Sequence, residues 1–255
     1  MGAKRALATL IAATTLARLG MAASIGPGND EAYHWLYAVH LDWSYHDHPP
    51  MLAWVERLGM AAFGLDSWIG PRFGFVMLSA GSAWLLARIA ARAYGEWAGF
   101  WAALALNAAP YYGLAAGTFA LPDGPLLFFW LLTIDRLMIA LEGDSSGRWA
   151  WAGLAWGGAM LSKYHALLLP AGVVLAMLWH APWRPWFRRA GPYLATAIGL
   201  VLFSPVIFWN YRHGWGSFRF QGGRAVGSWQ PRSTWSSRAV KASALPGRPG
   251  SGWRR

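Results

Sequence analysis

An all-α, polytopic membrane protein of about seven spanning helices is the fold class this sequence predicts, and three observations predict it. The 255 residues are 56% hydrophobic and only 13% charged, against a soluble norm of about 25% charged. They include 19 Trp, whose amphipathic rings collect where membrane meets water. Apolar stretches approaching the length of about 20 residues that a crossing helix needs recur along the chain. They lie near 5–25, 71–93, 96–113, 123–141, 149–162, 164–180 and 190–210.

The first stretch follows Lys4 and Arg5. Its alternative reading, a signal peptide cleaved near MAAS, is opposed by Arg18 inside the apolar run and by the spans that follow. The connection 26–70 is too long for a simple link. Within it, EAYHWLYAVHL (31–41) places Ala32, Trp35, Leu36 and Val39 at helical spacing, with Asn29 or Asp30 as the helix cap. After the HPP break (48–50), MLAWVERLGMAAFG (51–64) is amphipathic again, so two juxtamembrane helices lying along the surface are expected. The fifth and sixth spans crowd around SKYH (162–165), and one long tilted helix over 148–180 is the competing reading.

Basic residues set the orientation. Lys4 and Arg5, Arg88 and Arg92, Arg136 and Arg148, and Arg184, Arg188 and Arg189 share one side if the spans alternate. That side is expected to be cytoplasmic, with the loop 26–70, the turn 114–122 and SKYH facing outside. The net charge is +11, but Arg232, Arg238, Lys241, Arg248, Arg254 and Arg255 lie in the last 24 residues without an acidic partner. Removing those six from +11 leaves +5, ordinary for a membrane protein with basic inner loops, so membrane lipids rather than nucleic acid are the expected partners. Residues 231–255 have no period of either kind and a Ser, Gly, Pro and Arg-rich composition, which predicts a disordered basic tail after a domain of residues 1–230. The abrupt change near Gln230 points to a natural continuation lost by frameshift or truncation. Cysteine is absent, which excludes disulfides and thiolate metal sites.

The chemistry is concentrated at the outer face. Only 11 residues are acidic, yet Asp30, Glu31, Asp42 and Asp47 fall within 18 positions of the first loop. Tyr45, His46 and His48 lie beside them, Asp123 opens the fourth span in LPDGP, and Lys163 sits at the fifth-to-sixth turn. Ionisable groups at membrane depth are costly and mark a function or a partner. Asp30 and Glu31 read either as first-turn acids that favour the helix dipole or, with His34 one turn on, as a carboxylate base or a divalent-cation site. Asp30, His34 and Asp47 are the candidate metal ligands. His46, Asp47 and His48 are adjacent in an extended segment, so at most two of them point at one ion. Asp123 reads alternatively as a helix cap, and Lys163 as a side chain snorkelling to the interface. Arg18, Arg57 and Arg72 read as lipid-phosphate contacts or as interface markers.

Four segments stand in order, DEAYHWLYAVHLDWSYHDHPPMLAW (30–54), LPDGPLLFFW (121–130), LSKYHALLLP (161–170) and SPVIFWNYRHGWGSFRFQ (204–221). Together they resemble the N-terminal part of the glycosyltransferase family 39-like proteins. These are relatives of dolichyl-phosphate-mannose–protein mannosyltransferases that include the bacterial aminoarabinose transferases. The resemblance implies a GT-C fold and inverting transfer of a sugar from a polyprenyl-phosphate carrier to a lipid, glycan or protein acceptor at the outer face of the inner membrane. It implies that Asp30 is the first-loop catalytic aspartate and Glu31 its partner. Tyr45, Asp47 and His48 match the aromatic, acidic and basic positions before the double proline, where the aminoarabinose transferases have lysine in place of His48. Asp123 and Lys163 match donor-site residues, Lys163 near the carrier phosphate. The cofactor question is open, with a divalent cation as candidate. Family members are much longer than this chain. An inactive fragment or non-catalytic scaffold is therefore a rival reading, and a transporter, which places charge near the bilayer midplane, a weaker one.

Overall fold

The computed structural model describes residues 2–64, 67–225 and 227. Among them every regular element is helical: α1 (Ala3–Ser24), α2 (Asn29–Val39), α3 (Met51–Phe63), α4 (Ile69–Tyr94), α5 (Glu96–Ala108), α6 (Ala116–Thr118), α7 (Asp123–Glu142), α8 (Ser146–Ser162), α9 (Leu168–Trp179), α10 (Ala190–Arg212) and α11 (Gly216–Ala225). A π-helical segment (Pro110–Ala115) and two 3-10 segments (Tyr164–Leu167 and Ala181–Arg188) complete the chain path. The chain divides into two units, Met1–Ser217 and Phe218–Arg255. The first holds the bundle. In the second, Arg224 lies over the Phe220 ring, 5.5 Å from its centroid. The predicted tail, 231–255, lies outside the described residues.

Among the described residues four helices, α1, α4, α7 and α10, are long and apolar enough to cross a membrane, and Tyr164–Trp179 with Ala181–Arg188 makes a fifth if that pair, bent by 117°, counts as one span. The other two expected spans are shorter elements. The 13-residue α5 stops before Pro110, because the residue ahead of a proline is pushed out of the helical region and Ala109 is extended. The 17-residue α8 stops at Lys163, which is also extended, so residues 148–180 are two helices and not one. Both surface helices form as expected. Asn29 and Asp30 lie inside the first turn of α2 and do not cap it. The Glu31 carboxylate reaches back instead and accepts from the Gly28 N–H at 3.1 Å.

Small residues let these helices approach closely, the usual packing device where lipid replaces water. A Cβ on Gly59 of α3 would collide with the Gly70 carbonyl of α4, and one on Gly153 of α8 would meet the Ala195 carbonyl of α10 at 2.5 Å. Leu52, Phe75 and Ala120 form a buried cluster that joins α3, α4 and the loop before α7. Ala140, Trp149, Ala152 and Ala195 do the same for α7, α8 and α10.

Ion pairs identify the two ends. At one end Lys4 pairs with Glu96 at 2.9 Å, Arg88 with Asp135 at 2.8 Å, Arg92 with Glu142 at 3.1 Å and Arg189 with Asp144 at 2.8 Å. This end gathers the N-termini of α1, α5 and α10 with the C-termini of α4 and α7, as alternation of the basic residues requires. The opposite end gathers the first loop, the N-termini of α4 and α7 and the C-termini of α8 and α10, where the Trp209 indole donates to Asp42 at 2.7 Å.

Candidate active site at the acidic end

Helix α2 carries two faces of different use. Glu31 and His34, three residues apart, share its inner face and are both buried. They grip one peptide unit of the loop before α7. The Ala120 N–H donates to Glu31 Oε1 at 3.1 Å, and His34 Nδ1, which must carry the proton, donates to the Ala120 carbonyl at 3.0 Å. Arg72 of α4 completes the clamp with two bonds to Glu31, at 2.8 and 2.6 Å. It also donates to the carbonyls of Ala22, Ile25 and Gly26, the orphan end of α1, and lies 5.0 Å from the Phe119 ring centroid. Burial acts to raise the Glu31 carboxyl's pKa, but the bonds from Arg72, Ala120 and Gly28 outweigh it and hold the group below its ordinary value.

Three residues beyond Ala120, Asp123 opens α7 and meets Lys163, which the end of α8 delivers. Lys163 Nζ lies 2.8 Å from both Asp123 oxygens, and the Tyr111 hydroxyl donates to Oδ2 at 3.0 Å. The pair is only partly covered: the two side chains are 21% and 11% exposed. Tyr111 stands in the π-helical segment, an uncommon form often found at functional sites. That segment is held by Arg18 of α1, whose guanidinium donates to the Gly113 carbonyl at 2.9 Å and to Asn107 at 2.8 Å. Arg18 and Arg72 are therefore structural clamps inside the bundle, while Arg57 is exposed.

The DWSYHDHPP segment folds under α2. Tyr45 is buried, stacks on Tyr37 at 4.0 Å, accepts from the Asp42 N–H at 2.9 Å and donates to the Tyr37 carbonyl at 2.9 Å. Tyr37 gives its hydroxyl proton to Asp47, so Tyr33 supplies the proton of the 2.6 Å bond between the two tyrosines. His48 faces inward, its ring 5.6 Å from that of His34. Burial, moderated by Asp47 and reinforced by His34 and Lys163, lowers its pKa to about 4, so it is neutral at pH 7. Its Nδ1 is buried with no hydrogen-bond partner among the described residues. His46 is exposed.

Asp30 lies in the first turn of α2, exposed, with no hydrogen bond or ion pair among the described residues. It shares a helical stripe with Tyr33 and Tyr37. The acidic end thus places a free carboxylate on α2 and a cation on a half-open carboxylate at Asp123, with a neutral imidazole close enough to Lys163 and Asp123 to feel both charges. The candidate metal ligands are not gathered: His34 is spent on Ala120 and Asp47 on Tyr37, and no group of three or more His, Asp and Glu is placed for a metal among the described residues. Sequence reasoning missed Tyr111 and Tyr37, and it missed Glu56 of α3. Glu56 is fully buried, neither of its oxygens has a hydrogen-bond partner among the described residues, and burial followed by the Glu31 charge raises its pKa to about 8. A lone acid in the otherwise apolar run MLAWVERLGM was the available signal.

Known proteins share this arrangement of helices. Residues 47–209 match a family model described as dolichyl-phosphate-mannose-protein mannosyltransferase, a stretch that includes Asp47, His48, Asp123 and Lys163 and begins after Asp30 and Glu31. The lipid A galacturonosyltransferase RgtD of Rhizobium johnstonii is 28% identical over 184 residues, which are 72% of this chain and 38% of that protein. The crystal structure of ArnT from Cupriavidus metallidurans in the apo state superposes with a TM-score of 0.64 at 22% identity, over 85% of this chain and 44% of the other. The fold is of the same GT-C type. The chain spans less than half the length of either relative.

Proposed function

The chain belongs to the dolichyl-phosphate-mannose-protein mannosyltransferase family, and on that premise we propose that it carries the donor side of a membrane glycosyltransferase. Its donor is a sugar on a polyprenyl phosphate. Its acceptor is a lipid, glycan or protein hydroxyl at the outer face of a bacterial inner membrane.

One observation carries this reading: Lys163 rests on Asp123 at 2.8 Å, partly open, at the end of the bundle where the other unspent polar groups collect. An arriving phosphate competes with Asp123 for the ammonium, so the cation is stored on a carboxylate until the donor binds. The acceptor oxygen attacks the anomeric carbon and the bond from that carbon to the phosphate oxygen breaks. Asp30 takes the hydroxyl proton, and the phosphate leaves with its charge on Lys163. Attack opposite the leaving group inverts the anomeric centre. Glu31 positions rather than reacts, because its oxygens are committed to Arg72, Ala120 and Gly28. Tyr45 and Asp47 shape the loop, and neutral His48 offers the phosphate a hydrogen bond. An apolar cavity of about 490 Å³ lies among α7, α8, α9 and α10, and the part of its lining that α9 supplies begins at Leu168, five residues after Lys163. That is room for part of an isoprenoid chain.

The test is binding of a photoreactive polyprenyl-phosphate sugar to the chain in nanodiscs, with sugar transfer measured in a form extended to the family's full length. Labelling lost in Lys163→Met supports the reading. Equal labelling of wild type and Lys163→Met overturns it.

A further inference from the structure

Away from that site, α7 and α8 enclose a groove of about 340 Å³ on the flank of the bundle, lined by Phe129, Leu132, Arg136, Trp151, Leu154 and Ala155. Trp151 is 62% and Leu154 39% exposed, so the groove opens outward, toward lipid. Five of its six lining residues are apolar, and the sixth is a cation whose bonds are incomplete. Arg136 donates from one nitrogen to Asp135 at 2.6 Å. Asp135 is already met by Arg88 at 2.8 Å and Arg92 at 3.8 Å. The Arg136 Nε is buried without a partner, no other hydrogen bond of this guanidinium occurs among the described residues, and its side chain is 27% exposed.

Depth adds a second constraint. Arg136 stands six residues before the end of α7, about 9 Å at 1.5 Å per residue. Arg88 stands six residues before the end of α4. Both therefore lie about where the headgroup region gives way to hydrocarbon. An incompletely bonded guanidinium is costly at that depth unless it finds an anion, and basic pockets between helices recruit anionic headgroups. The local balance agrees, with Arg88, Arg92 and Arg136 facing Asp135 and Glu142.

We propose that this groove binds one anionic glycerophospholipid of the adjoining leaflet, its phosphodiester on Arg136 and an acyl chain against Leu132, Phe129 and Leu154. From Arg136 back to Phe129 the helix offers about 10 Å of apolar track, running toward the membrane middle as an acyl chain does. The site is independent of the glycosyltransferase reading and of which face of the membrane the basic end occupies.

The experiment is native mass spectrometry of the purified chain titrated with phosphatidylglycerol, phosphatidylcholine or inorganic phosphate. Arg136→Gln is expected to weaken phosphatidylglycerol about fivefold, the effect of one interfacial cation, while Arg148→Gln, an exposed arginine outside the groove, leaves it unchanged. Ala155→Phe, which fills the groove and leaves every charge in place, is expected to lose the same bound lipid. Wild-type affinity in Arg136→Gln, equal affinity for phosphatidylcholine in the wild type, or full displacement of the lipid by inorganic phosphate would each overturn the proposal. Should Arg136→Gln fail to insert, Ala155→Phe decides alone, and undiminished phosphatidylglycerol binding in it sinks the site.

Discussion

Helix α7 holds a buried acid near each end of the bundle, and the two are treated differently. Asp135 is fully buried and has three arginines, Arg88, Arg92 and Arg136, so the loss of any one leaves two. Asp123 is partly open and has one cation among the described residues, Lys163, with the Tyr111 hydroxyl as its other partner. Redundant pairing holds the helices together whichever of the three arginines is lost or engaged elsewhere. A single, accessible pair leaves a cation that a different anion can reach, which the proposed donor phosphate would require. The same contrast appears within two adjacent residues. Glu31 is buried under four hydrogen bonds, while Asp30 beside it has none among the described residues.

The largest effect that sharpens this contrast is on transfer. Lys163→Met in a full-length form should lower sugar transfer about 10²–10³-fold, the usual loss for one preorganised charge-stabilising group. Arg88→Met at the other end should leave transfer within a few-fold of wild type. Comparable losses in both would mean that Lys163 is one more structural cation.

Next in size is a stability difference. Arg72→Met strands the buried Glu31 carboxylate and the carbonyls at the end of α1, and should cost about 3–5 kcal/mol, read as a fall in the unfolding midpoint in detergent. Arg92→Met loses an exposed bond to Glu142 and a long 3.8 Å contact with Asp135, which keeps Arg88 and Arg136, and should cost about 1 kcal/mol or less. Similar midpoints for the two variants would remove Arg72 from its role as clamp.

Glu56 gives a pH-dependent test beneath the first loop. Its carboxyl keeps a proton in the folded chain up to about pH 8, against an ordinary value of 4.5. The folded state therefore holds more protons than the unfolded one between those limits. Stability is full below about pH 4.5 and falls as pH rises toward about 8, by at most about 1.4 kcal/mol per pH unit. Glu56→Gln should match wild type near pH 4.5 and melt higher at pH 8. Parallel pH profiles for the two proteins would show that Glu56 has a partner the account omits. The smallest expected effect is Tyr111→Phe, which removes one hydrogen bond to Asp123 and should change the unfolding midpoint by about 1 kcal/mol or less, with transfer reduced only a few-fold.

Much of this was legible in the sequence. The spacing of basic residues gave the alternation of helices that the ion pairs at the two ends display. The helical periods of 31–41 and 51–64 gave both surface helices within two residues at their N-termini. Asp123 and Lys163 were chosen separately, as lone ionisable groups near span ends, and the fold brings them into contact across 40 positions. What stayed hidden was direction. Composition cannot say that Glu31 turns inward and Asp30 outward, because that depends on which face of α2 packs on the 119–122 loop. Likewise Arg18 and Arg72 looked like interface markers, since a run of apolar residues does not reveal which carbonyls of a neighbouring helix end need a donor. The cap at Asn29 or Asp30 failed for a related reason: Glu31 supplies the bond to the Gly28 N–H, and the helix starts one or two residues earlier than those side-chain caps would place it.

If the acidic end transfers sugar with Asp30 as the base, as proposed, Asp30→Asn must remove most of that transfer. Asparagine keeps the shape of the side chain and its compatibility with a first helical turn while removing the charge. Transfer from a polyprenyl-phosphate sugar is measured in a form extended to the family's full length, with expression and unfolding midpoint as controls. Normal expression, an unchanged midpoint and transfer reduced at least about a hundredfold are expected. Transfer near the wild-type level would contradict the proposal and leave Asp30 as a surface acid that merely favours the helix dipole.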